Sequence, residues 1–146
     1  MSLSNAAETD LLKLLFTNTT WAGVGDATGI VGSAGAGSLF ISLHTADPGE
    51  AGDQTTNEIS YTGYSRVAVA RSGAGWTVSG NSVSPAATIS FGQMTAGTGG
   101  TVTHWAVGKS SSGTGEILVS GTVSPNIPVS AGVTPQLTTS TAITAD

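Results

Sequence analysis

The sequence predicts an all-β fold, an antiparallel jelly roll or β-sandwich of about eight short strands with one short N-terminal helix. Several short segments alternate apolar residues with Ser and Thr, which is typical of antiparallel strands with one solvated face. Glycine supplies 21 of the 146 residues, and turn signals separate these segments. A chain of this length is typical of one domain. We therefore expect residues 1–146 to form a single jelly-roll domain, with a helical arm over 1–20 and the sandwich over 39–143.

The helix is predicted near the N-terminus. Ser4 can cap its first turn, and Asn18 follows its last residues. Its apolar residues recur at roughly helical spacing; they are Leu11, Leu12, Leu14, Leu15 and Phe16. So short a helix is marginal alone, so it must pack on its own sheet or on a neighbouring subunit. Both options stay open, and Leu11, Leu14 and Leu15 are candidate partner contacts.

The strands follow a Gly/Ala/Ser-rich loop over residues 21–38. They are predicted at 39–44, 66–71, 76–79, 82–84, 88–91, 103–107 and 116–120, with a weak last strand within 136–143. Gly80-Asn81 suits a tight type II′ hairpin, in which glycine takes the first central position. Residues 110–115 form a longer hairpin loop. Regularly spaced short strands with such turns favour a sandwich over an α/β fold.

Composition excludes several classes of protein. Charged residues make up 9% of the chain, the net charge is -5 and cysteine is absent. The four cations, Lys13, Arg66, Arg71 and Lys109, are scattered, whereas binding to nucleic acid or an anionic membrane needs them clustered. No stretch reaches the ~18 apolar residues of a membrane span, and the first residues do not resemble a secretory signal. We expect no nucleic-acid partner and no membrane partner.

No motif predicts catalysis. His44 and His104 lie opposite the apolar faces of their strands, so we expect surface or interface imidazoles rather than metal ligands. There is no Gly-x-Ser-x-Gly elbow, and no glycine-rich loop continues into Gly-Lys-Ser/Thr. We therefore predict that the protein is not an enzyme and uses no metal and no cofactor.

The densest charge lies in one loop that carries Asp47, Glu50 and Asp53. Clustered carboxylates suit calcium, but the Asp-x-Asp-x-Asp-Gly spacing of a calcium loop is missing. A solvated turn is the preferred interpretation. Trp76 and Trp105 alternate in phase with inward valines and are expected in the core. Trp21 leaves a third hypothesis open, a carbohydrate-binding jelly roll.

Two segments resemble a family of small structural proteins of tailed bacteriophages. They are the run LHTADPGE at 43–50 and YTGYSRVAV at 61–69, and the likeness continues to about residue 108. Family members are labelled phage tail fibre proteins, and some resemble the capsid cement proteins of short-tailed phages. Those proteins fold as jelly rolls and clamp neighbouring major capsid subunits on the outside of the head.

The resemblance implies a non-enzymatic head decoration protein on the outer capsid surface, bound to the major capsid protein. Capsid symmetry favours a homodimer as well. The helix or the loop with Asp47, Glu50 and Asp53 would reach the shell. Arg66, in the Gly-Tyr-x-Arg match, would order that acidic loop or contact a partner. The alternative is a tail-associated or tail-fibre subunit that binds host or other tail proteins.

Overall fold

The computed structural model describes residues 2–145, in which the chain forms one helix and nine strands. They are α1 (Asn5–Thr17), β1 (Ser38–His44), β2 (Val67–Ala70), β3 (Trp76–Ser79), β4 (Ser82–Pro85), β5 (Ile89–Ser90), β6 (Gly100–Gly108), β7 (Ile117–Val129), β8 (Gln136–Leu137) and β9 (Ile143–Thr144). The elements divide into two compact units. We call residues 2–38, 69–88 and 138–145 the helix unit, and residues 39–68 and 89–137 the sheet unit.

The predicted fold class, an all-β antiparallel sandwich with one short N-terminal helix, is confirmed. The weak last strand predicted within 136–143 is two short strands, because a turn closed by the bond from Thr141 N to Thr138 O (3.0 Å) interrupts it. A single domain over 1–146 stays a prediction.

The ends of α1 follow the predicted capping. The Ser4 hydroxyl accepts a hydrogen bond from the Ala7 N–H (3.3 Å), and Asn18 ends the helix in the left-handed region with φ 56°. The buried stripe differs from the leucines singled out as partner contacts. It consists of Glu8, Leu12 and Phe16, at i, i+4 and i+8 along one face.

That stripe packs on the hairpin of β3 and β4. The Phe16 and Trp76 rings meet edge to face, with centroids 4.8 Å apart and planes at 66°. The Gly80 carbonyl, in the hairpin turn, accepts a hydrogen bond from the Thr9 hydroxyl (2.8 Å). Gly80 has φ 59° whereas Asn81 is not left-handed, which matches the predicted type II′ turn. In the helix unit, α1 therefore has its own sheet to pack on.

Arg71 closes the other end of the helix. Its guanidinium donates to the Leu14 and Leu15 carbonyls, both at 2.6 Å, and to the Ser33 hydroxyl. The last carbonyls of a helix lack partners within it and carry partial negative charge, so a cation there stabilises the helix. The last turn of α1 has no basic residue of its own, so the charge is supplied by Arg71, which lies 56 residues beyond Leu15 in the sequence.

The sheet unit is built around β1, β6 and β7, which are neighbours in that order in one antiparallel sheet. Leu43 of β1 pairs with Trp105 of β6, and Trp105 pairs in turn with Gly121 of β7. A Cβ atom at residue 121 would lie 3.2 Å from the Trp105 indole nitrogen, so glycine leaves room for the ring. Both Trp76 and Trp105 are buried, as predicted.

None of the helices in the described part of the chain is long and apolar enough to span a membrane.

The packing of α1 predicts unequal costs for truncating its apolar residues. Phe16→Ala removes a fully buried ring and should lower the free energy of unfolding by about 3–5 kcal/mol. Leu14→Ala removes a half-buried side chain and should cost about 1 kcal/mol. Urea titrations followed by circular dichroism measure both values, and equal losses would contradict the packing described.

Candidate interaction site

The acidic loop (residues 47–53) leaves the end of β1 in a defined conformation. The Asp47 carboxylate accepts a hydrogen bond from the Gly49 N–H (2.9 Å), which is an Asx turn. The Asn57 side-chain amide donates to the Asp47 carbonyl (2.9 Å). Side chains therefore hold the loop where it starts, and the Asp47 and Glu50 side chains are exposed.

The end of the acidic loop is fixed at Asp53. Its carboxylate accepts hydrogen bonds from the Thr55 hydroxyl (2.6 Å) and the Thr55 N–H (2.7 Å). Because these bonds favour the charged form, they lower the pKa of Asp53. The backbone at Asp53 also forms an isolated antiparallel bridge with Glu116, next to the start of β7. The acidic loop is thereby tied beside that strand.

A groove of about 380 Å³ separates the loop from β7. Its walls are Asp47, Gly49, Glu50 and Gly52 on one side and residues 117–120 on the other. β7 is the last strand of its sheet, paired with β6 alone. The groove thus combines two exposed carboxylates with a strand edge.

Arg66 holds a different loop from the one expected. It forms a two-point ion pair with Glu58, with Nε–Oε1 at 2.8 Å and Nη2–Oε2 at 2.7 Å. The same guanidinium donates to the carbonyls of Ser110 (3.1 Å) and Gly113 (2.8 Å). The side chains of Arg66 and Glu58 are only 3% and 15% exposed. Arg66 therefore orders the loop between β6 and β7, while a contact with a partner stays a prediction.

Tyr64 completes this network. Its hydroxyl donates to Glu58 Oε1 (2.9 Å) and accepts a hydrogen bond from the Leu43 N–H (3.1 Å). Burial, with the nearby Glu58 carboxylate, raises the pKa of Tyr64, so the phenol remains a donor. The Gly-Tyr-x-Arg motif therefore supplies two of the three side chains of a buried ion-pair network.

The expectation that His44 lies at a surface is wrong, because its side chain is completely buried. Nδ1 lies 2.8 Å from the Thr56 carbonyl, which only accepts, so Nδ1 carries the proton. Nε2 then accepts from the Ser42 hydroxyl at 2.9 Å. Residues 55–59 run beside the end of β1, with Ile59 N donating to Leu43 O (2.9 Å), and this segment supplies the Thr56 carbonyl that the His44 ring contacts. Burial lowers the pKa of His44 and favours the neutral ring.

Gln54 is a structural residue that the sequence did not reveal. Its side chain is fully buried, donates to the Phe40 carbonyl (3.3 Å) and accepts from the Ser110 N–H (3.0 Å). Cβ atoms at residues 108 and 115 would collide with it. The sequence feature that indicates such a buried side chain is the pair of glycines on either side of the loop between β6 and β7. These glycines leave space for a side chain from another part of the chain.

The remaining candidates belong to the helix unit. Leu11, Leu14 and Leu15 are half-buried. Trp21 is also half-buried, and its backbone pairs with Ile30 in a small bridge (2.9 Å). The structure therefore brings Asp47 and Glu50 together in the groove with Asp53 close by, places Arg66 in the buried network of the same unit, and leaves the three leucines on α1.

Within residues 2–145, no three His, Asp or Glu side chains are grouped so that they could bind one metal ion. The arrangement is suited to binding another protein, since it offers exposed carboxylates and backbone groups at a strand edge held by buried polar networks.

The family model described as Podophage GP4 fiber I protein gp80 matches residues 2–144 of this chain. A search of curated proteins found no match. The resemblance to short-tailed phage structural proteins, based on residues 43–50 and 61–69, is therefore confirmed at the level of the family.

The buried ion pair predicts a large loss of stability when Arg66 is truncated. Arg66→Ala leaves the Glu58 carboxylate without its cation and should cost about 3–5 kcal/mol in free energy of unfolding. Lys109→Ala is the matched control, since the side chains of Lys109 and Glu116 are 56% and 63% exposed. That variant should cost less than ~1 kcal/mol. Similar losses in chemical denaturation would contradict the network.

His44 predicts a pH-dependent stability. Its pKa in the folded chain lies below the 6.5 of an unfolded histidine. As the pH falls below that value the unfolded chain takes up a proton first, so stability decreases with a slope of up to about 1.4 kcal/mol per pH unit. His44→Gln keeps a polar side chain and removes this titration. Unfolding free energies between pH 7 and 5 should fall less steeply in the variant, and parallel curves would refute the assignment.

Proposed function

This chain belongs to the family of the podophage GP4 fiber I protein gp80, and from that premise we propose that it is a tail-associated fiber subunit of a short-tailed phage. It is a phage structural protein. The observation that carries the proposal is the family match over residues 2–144. A subunit of this kind works by docking to other virion proteins rather than by catalysis.

The geometry supports a docking role. The sheet unit holds its strands and loops with buried side-chain networks around Arg66, His44 and Gln54, so its groove has a fixed shape. A rigid surface loses little conformational freedom on binding, which favours affinity. The chain also carries few charges, so its small polar side chains can be buried at an interface at low desolvation cost.

Head decoration remains the competing proposal. It rests on the likeness of the segments at 43–50 and 61–69 to capsid cement proteins, and it would make the major capsid protein the partner. The word fiber in the family description favours the tail. In either position the virion is symmetric, so self-association of the chain is part of the proposal.

The two positions predict different copy numbers. A tail fiber subunit should be present at a small fraction of the copies of the major capsid protein and should be absent from purified tailless heads. Quantitative mass spectrometry of intact virions and of tailless heads measures both quantities. The portal protein, which stays with the head, serves as the internal control. Copies of the same order as the capsid protein, retained on tailless heads, would overturn the tail assignment in favour of decoration.

A further inference from the structure

The outer edge of β7 is open along its first half. The strand pairs with β6 on one side through Ile117 and residues 119–122, after which the register shifts and residues 123–126 have no partner in β6. On the other side the bridge between Asp53 and Glu116 ends just before the strand, and among residues 2–145 no backbone hydrogen bond is found for residues 117–122. In a β-strand, the N–H and C=O groups of one residue point to one edge, and those of the next residue point to the opposite edge. About half of these residues therefore present unpaired donors and acceptors, in a row that can receive another strand.

Natural proteins protect such edges with proline, charge or a covering segment. Pro125 and Pro128 protect the second half of β7, since proline has no N–H to donate. The first half, ILVSGT at 117–122, contains neither proline nor charge, and the bridge from the acidic loop covers the chain only at Glu116, before this stretch. Its Ile117, Leu118 and Val119 side chains are half-buried. This half is thus the part of the edge that is suited to pairing.

The acidic loop gives this edge a chemical preference. Asp47 and Glu50 stand across the groove from residues 117–120. The ion pairs found among residues 2–145 are Arg66–Glu58 and Lys109–Glu116, so neither carboxylate of the groove has a cation in this chain. A strand that enters the groove meets uncompensated negative charge, which favours a basic segment.

A second copy of the chain is a poor match for the groove. Three of the four cations are already engaged, because Arg66 and Lys109 form ion pairs and Arg71 binds carbonyls of α1. The second copy would also bring its net charge of -5. Lys13 is the remaining cation, so a different protein is the better source of the complementary charge.

We propose that the groove between the acidic loop and β7 receives an extended, lysine- or arginine-bearing segment of another virion protein, which adds a strand to the sheet at residues 117–122. Main-chain hydrogen bonds along the edge supply the pairing, and Asp47 and Glu50 select the basic segment. This inference deepens the proposed docking role by naming the chemistry of the partner, but its test does not depend on the position of the protein in the virion.

The test uses two short synthetic peptides of alternating valine and threonine, one with lysine at both ends and one with glutamate at both ends. The lysine peptide should bind the full chain, and hydrogen exchange by NMR should show new protection of alternate amides within residues 117–122. The glutamate peptide should bind at least about tenfold more weakly, because two like charges replace two attractive ones. Equal binding of the two peptides, or protection elsewhere, would overturn the proposal.

Charge variants test the role of the acidic loop. The double variant Asp47→Asn with Glu50→Gln should bind the lysine peptide about three- to tenfold more weakly than the parent chain, and this difference should decrease at high salt. Asparagine still accepts the hydrogen bond of the Asx turn, so the loop is retained. The control, Asp10→Asn with Asp26→Asn, makes the same change of net charge in the helix unit and should leave binding unchanged. An equal loss of peptide affinity in both variants would show that the acidic loop does not take part in recognition.

A pair of proline variants tests the strand edge. Val119→Pro and Ser120→Pro change neighbouring residues, one of which donates toward β6 and the other toward the open edge. The variant that loses the N–H directed toward the open edge should keep the unfolding midpoint of the parent chain and lose peptide binding. The other proline variant, which loses a hydrogen bond to β6, should be destabilised. Retained peptide binding in the variant that stays folded would contradict strand addition. Association of two copies of the chain through β7, detected by sedimentation in the absence of peptide, would contradict the proposal that the partner is a different protein.

Discussion

The buried pairing of Arg66 with Glu58 is the constraint on which the sheet unit depends. Arg66 lies directly before β2, and Glu58 lies in the segment that runs beside the end of β1, so their two-point contact joins these two parts of the chain. The remaining donors of the guanidinium then hold the Ser110 and Gly113 carbonyls of the loop between β6 and β7. Buried ions are costly unless every polar atom finds a partner. One side chain thereby fixes three segments, and with them the start of the open edge.

The strand pattern and the turns could be predicted from the sequence because they are local. Alternation located the strands, although β7 continues to Val129, beyond the predicted end at residue 120. Ser4 and Asn18 mark the ends of α1, and Gly80 marks a hairpin turn. These features depend on residues within a few positions of one another, where backbone preference and side-chain period decide the outcome.

The positions that could not be predicted are decided by long-range contacts. α1 carries apolar residues around most of its surface, so the sequence alone did not show that Leu12 and Phe16, rather than Leu14 and Leu15, form the buried stripe. Alternation assumes one solvated face, which predicts His44 at a surface, whereas the ring is buried and contacts the Thr56 carbonyl of the segment that runs beside β1. In the acidic loop, the sequence located the carboxylates but not the strand beside them.

The few cations of the chain explain why the groove stays acidic. A chain with four Lys and Arg against nine Asp and Glu cannot neutralise all its carboxylates internally. Arg66 neutralises the buried carboxylate of Glu58, for which the absence of a cation would be most costly in free energy. Arg71 donates hydrogen bonds to the last carbonyls of α1. Exposed carboxylates such as Asp47 and Glu50 cost little in water, so stability does not require them to be paired. Their negative charge is consequently free to act on a partner, and its position beside an unpaired strand edge makes recognition depend on both backbone pairing and charge.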